Sequence, residues 1–150
     1  TYGGETPFSE PETTAENNLI NLYKNNIRVY ISVHSFGDAI IYPWSFPGAQ
    51  WVDNWEYHDT VGGFYAEGIR QATGKNIRVG NTIDLIGSGW GGSHDHVSGA
   101  HGVALTFTTE LSRGGITGFN FPEGIQLENL VRETYFGYRG IGLHIGRTYK

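Results

Sequence analysis

The sequence predicts an α/β domain, with a sheet flanked by helices. Three observations predict it. Apolar residues recur at helical spacing in three segments, short apolar or alternating runs lie between them, and the two kinds of segment alternate along the chain. The order reads α-β-β-α, then a further short strand, a loop, and β-α. With 150 residues, 38% of them hydrophobic, the chain can form one domain with a real core. Glycine is 23 of 150, roughly twice the usual ~7%. Aromatic residues reach 14%, so these glycines read as tight loops on a packed scaffold and not as a disordered tract.

The first helix opens at Ser9-Glu10-Pro11-Glu12. Ser9 is placed to cap, Pro11 sits in the first turn where its missing N–H costs nothing, and Glu12 can complete a capping box. Ala15, Leu19, Ile20, Leu22 and Tyr23 follow at helical spacing, and Asn25-Asn26 ends the run. Residues 27–33 alternate in strand style through Ile27, Val29, Ile31 and Val33, and lead into His34-Ser35-Phe36-Gly37. Ala39-Ile40-Ile41-Tyr42 is a second strand, stopped by Pro43. Over residues 59–71, Val61, Phe64, Tyr65 and Ile69 mark a second amphipathic helix, with Gly74 as its left-handed stop. Residues 86–93 (I-G-S-G-W-G-G-S) read as loop. Residues 103–111 form a β-type run, apolar and then Thr-rich. Pro122-Glu123 opens a last helix reaching about Gly140, with Ile125, Leu127, Leu130, Val131 and Tyr135 as its apolar positions.

Charge narrows the function classes. Ten basic residues against 15 acidic give a net charge of -5, and no basic run suggests a nucleic-acid surface. No apolar stretch approaches the ~20 residues of a membrane span, and no basic-then-apolar leader opens the chain. The absence of cysteine removes disulfides, thiolate zinc sites and a cysteine nucleophile. No G-x-S-x-G elbow is present, and the Gly-rich 87–92 stretch lacks the Lys-Ser/Thr of a phosphate loop.

In open α/β sheets functional groups gather at the carboxyl ends of strands. His34 and Glu110 hold that position here. A carboxylate at the end of an apolar strand is desolvated, which raises its pKa and suits general-base work. The plainer alternative for each is a solvated strand end or a capped loop. Ser93-His94-Asp95-His96 with His101 has the composition of a metal cluster. Residues i and i+2 do not share a helix face, though, and no standard zinc spacing is present. The cluster reads instead as pocket wall and loop polarity.

Several motifs then occur in order. They are Tyr2-Gly3-Gly4 with Pro7-Phe8-Ser9-Glu10-Pro11-Glu12-Thr13, His34-Ser35-Phe36, Ile41-Tyr42-Pro43-Trp44, Gly91-Gly92-Ser93-x-Asp95, Thr106-Phe107-x-x-Glu110-Leu111, and Gly118-Phe119-x-x-Pro122. This ordered set resembles the second half of secreted zinc carboxypeptidases of the digestive A/B type, and its glycine usage and loop wording resemble arthropod members. The resemblance implies the C-terminal half of that family's mixed-sheet sandwich with flanking helices, spanning residues 1–150. It implies that His34 is the third zinc ligand and that Glu110 is the general base. Ser35, Phe36 and Phe119 would line the substrate path, and Ser45, Ser93, His94 and Asp95 the pocket for the terminal side chain. His94 falls where A-type enzymes carry an apolar residue and B-type enzymes an Asp. Two departures stand out. The family's mobile Tyr before the Gly-Gly-Ser loop is absent from Asp84–Trp90, and the H-x-x-E zinc ligands and substrate-carboxylate arginines are missing.

Elementary chemistry agrees with the second departure. Hydrolytic zinc needs three protein ligands, and one imidazole cannot hold it selectively. A sheet lacking its first strands would also present an unpaired edge. The expectation is therefore a secreted hydrolase half-domain that removes C-terminal residues from peptides, with Zn2+, once joined by an N-terminal half as a second chain. Nucleic acid and membrane are not expected partners. The alternative is a truncated, inactive homologue acting as a binding or structural protein. With no dedicated anion in the pocket, the expected substrates end in apolar or aromatic residues, because a buried unpaired cation costs several kcal/mol. A protonated His94 admitting acidic residues is the second option.

Overall fold

Alternation and turn chemistry produce four strands, and their pairing makes one mixed sheet. The computed structural model describes residues 3–112, 119 and 123–149. Its elements are α1 (Pro11–Tyr23), β1 (Tyr30–Ser35), β2 (Ala39–Tyr42), α2 (Trp55–Thr73), β3 (Arg78–Asn81), α3 (Thr82–Leu85), α4 (Ser93–His101), β4 (Thr106–Leu111) and α5 (Ile125–Thr148). The strand order is β1-β4-β2-β3. β1 runs parallel to β4 and β2 parallel to β3, while β2 and β4 are antiparallel. The mixed α/β architecture is the one the sequence predicts.

The main core fills the sheet face covered by α2 and α5. Ile40, Tyr42, Val61, Tyr65, Ile69, Leu105, Phe107 and Ile141 are buried there together. Each such side chain withdrawn from water stabilises the fold by about 1.5–3 kcal/mol. His58 lies fully inside this layer. Its Nδ1 is 3.2 Å from the Asn54 carbonyl and its Nε2 accepts the Thr106 N–H at 3.3 Å, so both ring nitrogens have partners. A smaller cluster of Ile20, Val97 and Val103 joins α1 and α4 on the opposite side.

Several elements differ from the sequence expectation, each for a physical reason. Ser9 does not cap α1. Its hydroxyl accepts the Glu5 N–H at 3.1 Å and donates to Glu10, which itself occupies the N-cap without a side-chain bond to the helix. Of the apolar positions on α1 only Ile20 is buried, because it carries the apolar contact of the helix with the domain; Leu19, Leu22 and Tyr23 are exposed. β1 begins three residues later than the alternation suggests and includes His34 and Ser35. Val33, near the carboxyl end of this edge strand, is exposed. The 86–93 loop ends in α4, whose first residue is Ser93.

α2 starts a turn earlier than predicted and stops, as expected, at Gly74, whose φ of 76° is left-handed and whose N–H returns to the Arg70 carbonyl at 2.8 Å. α5 continues well past Gly140. Gly137 and Gly140 do not break it, because they face α2. A Cβ on Gly140 would overlap the Phe64 carbonyl, one on Gly68 would overlap the Phe136 carbonyl, and one on Gly137 would lie 2.5 Å from the Tyr65 ring. This close approach lets Tyr138, Ile141 and Ile145 reach the core, while Ile125, Val131 and Tyr135 are exposed. Pro122, expected at the start of this helix, lies outside the described residues. Among the described residues no helix is long and apolar enough to cross a membrane.

Candidate active site

Successive side chains of a strand point to opposite faces. On β4, Phe107 enters the core and the Thr109 hydroxyl lies 2.8 Å from the Tyr138 hydroxyl, so both face α2 and α5. Thr108 and Glu110 therefore face the other way. On β1, Ile31 packs on the core, which sends Ser32 and His34 to that same far side. The parallel register then sets His34 directly opposite Glu110. The face they share opens on a cavity of about 500 Å³, lined by Ser32, His34, Thr108 and Glu110 from the sheet and by Ser45, Thr82, Ser93 and His94 around it. The 86–92 loop forms the outer wall. Trp90 in that loop is 78% exposed and stacks on Phe46 at 6.0 Å.

Each group in the cavity has a defined setting. Burial pushes the Glu110 carboxyl above its ordinary pKa, with His34 pulling it back in part. A half-buried carboxylate of this kind is a stronger base than one in water. His94 is 5% exposed, with Nδ1 2.9 Å from the Thr108 hydroxyl and Nε2 3.2 Å from the Thr82 hydroxyl and 3.3 Å from Asp95 Oδ1. Burial holds the His94 imidazole below its usual pKa; Asp95 opposes this and His34 adds to it. Asp95 stands behind the wall. Its carboxylate accepts the Ser45 N–H at 2.9 Å and the Ser45 hydroxyl at 2.6 Å, which fixes the turn after β2.

The residues singled out from the sequence thus fall into groups. His34, Glu110, Ser45, Ser93 and His94 meet around one cavity. Asp95 supports Ser45 from outside it. Phe36 and Phe119 meet each other edge-on at 5.0 Å, and Ser35 is exposed at the end of β1. Gly118 and Pro122 of the last motif lie outside the described residues. The Ser35–Phe36 and Pro43–Trp44 peptide bonds are cis. Thr82, Thr108 and Asn81 were not singled out. Thr108 is two residues before Glu110 on the same strand face, and that period-2 signal could have found it. Asn81 is buried, donates to the Pro43 carbonyl at 2.9 Å and accepts the Ile83 N–H at 2.9 Å, so it braces the turn that carries Ser45.

The model of the zinc carboxypeptidase family matches residues 1–137. The chain belongs to the zinc carboxypeptidase family. It is 32% identical over 148 residues to carboxypeptidase B of Astacus astacus, covering 99% of this chain and 48% of that protein. It is 33% identical over 134 residues to carboxypeptidase O of Bos taurus, covering 89% of this chain and 35% of that one. Bovine thrombin-activatable fibrinolysis inhibitor, solved in complex with tick carboxypeptidase inhibitor, superimposes with a TM-score of 0.88 at 25% identity, covering 98% of this chain and 49% of that chain. This member of the carboxypeptidase family therefore spans half or less of the length of these relatives. The family implies zinc. His34 offers one imidazole, and among the described residues no group of three or more His, Cys, Asp or Glu side chains could hold a metal ion. The donors described fit one corner of a zinc site and not a whole one.

Proposed function

We propose that this zinc carboxypeptidase chain is the C-terminal half of a secreted catalytic unit that releases C-terminal amino acids from peptides. The remaining zinc ligands and the arginines for the substrate carboxylate would come from an N-terminal half outside these 150 residues. The observation that carries this reading is the pairing of His34 with Glu110 across β1 and β4, on a face that opens into a cavity. In this reading His34 is a zinc ligand. When bound, zinc supplies a Lewis acid for the peptide carbonyl and makes water more acidic. Glu110 takes a proton from the attacking water and passes it to the leaving amine. Ser35, Phe36 and Phe119 border the path of the peptide chain. Ser45, Ser93 and His94 receive the terminal side chain, and Asp95 holds Ser45 in place.

The wall chemistry favours apolar or aromatic terminal residues. The Asp95 carboxylate is already occupied by Ser45, so it offers no free anion to a Lys or Arg side chain. Both ring nitrogens of His94 are engaged within the chain and burial disfavours its charged form, which works against an acidic substrate.

The test combines this chain with a polypeptide carrying the H-x-x-E half and zinc, and offers peptides ending in Phe, Leu, Lys and Glu. Release of Phe and Leu, abolished by a chelator and restored by zinc, is the expected result. Preference for Lys would overturn the pocket assignment. Stoichiometric zinc without release of any residue would favour the alternative, an inactive homologue acting as a binding protein.

A further inference from the structure

A second set of donors converges away from the cavity, on the side where α1 meets α4. His96 Nε2 lies 3.1 Å from His101 Nε2, and Asn17 Oδ1 lies 3.2 Å from the first and 3.0 Å from the second. The two rings are nearly perpendicular, at 88°, and the Phe8 ring packs against His96 with centroids 5.0 Å apart. All three side chains are half-buried. Asn17 and His96 also line a cavity of about 520 Å³ bordered by Phe8, Ile20 and Val97, through which small solutes can reach them.

Hydrogen bonds alone do not satisfy this triangle. An amide oxygen carries no hydrogen, and each Nε2 carries at most one. If both nitrogens are protonated and donate to Asn17, the two N–H groups face each other. If only one is, the bare nitrogen faces a bare oxygen or must share a single proton. Turning the amide end for end does not help, because an Nε2 that accepts from the amide cannot also donate to its neighbour. With both rings oriented as they stand, at least one of the three close contacts lacks a proton between its atoms.

A cation that draws a lone pair from all three relieves every contact at once. For a metal about 2.1 Å from imidazole nitrogen, neighbouring donors stand about 3.0 Å apart at an octahedral right angle and about 3.4 Å apart at the tetrahedral angle. The observed edges fall in this range. Two imidazoles and one amide oxygen suit late transition ions and are poor donors for magnesium or calcium.

We propose that Asn17, His96 and His101 form a second metal site, for a divalent transition cation of the zinc, nickel or copper kind, that clips α1 to α4. The clip has a structural use, since Ile20 is the only residue of α1 buried against the domain. The site shares no residue with the His34–Glu110 pair and does not depend on the function proposed above.

The experiment titrates the 150-residue chain with Co2+, followed by its visible absorption and by calorimetry, with thermal stability as a second readout. One equivalent should bind equally well to the wild-type chain and to His34→Ala. Binding should weaken by at least about tenfold in His96→Ala and in His101→Ala, since even outer-shell changes at metal sites cost 10–100-fold. Asn17→Asp adds a charged oxygen donor and should bind more tightly, with a larger cobalt-dependent rise in melting temperature; it guards against an alanine variant that merely unfolds. Failure of the wild-type chain to bind, binding lost in His34→Ala but kept in His96→Ala, or an Asn17→Asp variant no tighter than wild type would each overturn the site.

Discussion

Replacing Glu110 by Gln is expected to lower peptide release by about 10²–10⁴-fold, the usual worth of a positioned general base, while the fold and zinc content stay unchanged. Gln has nearly the same shape and keeps an acceptor oxygen, but it cannot take a proton from water. The backbone at this position is held from both sides, by His34 in β1 and by Ala39 in β2, so the strand does not depend on the carboxylate. Burial has already raised the pKa of this group, and the neutral amide is easier to bury than the anion. The measurement is single-turnover hydrolysis by the two-half assembly, with zinc content and circular dichroism recorded on the same samples. Turnover near wild type would remove Glu110 from the chemistry and leave it as a strand-end carboxylate.

The largest structural effect is expected at Gly140. Alanine ordinarily stabilises a helix by roughly 0.5–1 kcal/mol over glycine. At position 140 its methyl group would overlap the Phe64 carbonyl, and backbone cannot swing aside as a side-chain tip can. The helices must separate, which loosens Tyr65, Ile69 and Ile141 in the core between them. Overpacking of this kind typically costs about 1–3 kcal/mol. Gly142, half a turn away, has open space where its Cβ would stand, so Gly142→Ala should gain the ordinary helix increment. Urea denaturation of the two variants should therefore move in opposite directions. If Gly140→Ala proves as stable as Gly142→Ala, the two helices do not touch at this point.

These effects mark where reading the sequence succeeds and where it stops. The three long helices carry apolar residues at a regular spacing, Pro43 ends β2, and Gly74 ends α2, so local chemistry announces them. His34 and Glu110 stood out because each follows an apolar run that stops there. Their adjacency was not legible, because nothing local states that β4 inserts beside β1. α4 was missed because Val97 is its only buried aliphatic residue, and its other buried side chain is a histidine. The helical pattern fades near Gly140, yet α5 runs on to Thr148 because glycine at 137 and 140 is a contact surface for α2. Ser9 does not cap because Glu10 holds the N-cap position, and the Ser9 hydroxyl accepts the Glu5 N–H instead.

β1 and β2 are joined by residues 36–38 alone and run in opposite directions, yet they are not neighbours: β4 lies between them, and the Gly37 N–H donates to the Leu111 carbonyl at its end. A three-residue link between antiparallel strands is an ordinary hairpin closure. The growing chain therefore meets a competing fold early, in which β1 and β2 zip directly together and close the slot meant for β4. Residues 106–111 emerge much later, and a contact so distant in sequence forms slowly. His34 has its partner only after that insertion. A polypeptide that stops before residue 106 lacks the strand that holds the two apart, and is expected to favour the direct β1–β2 hairpin.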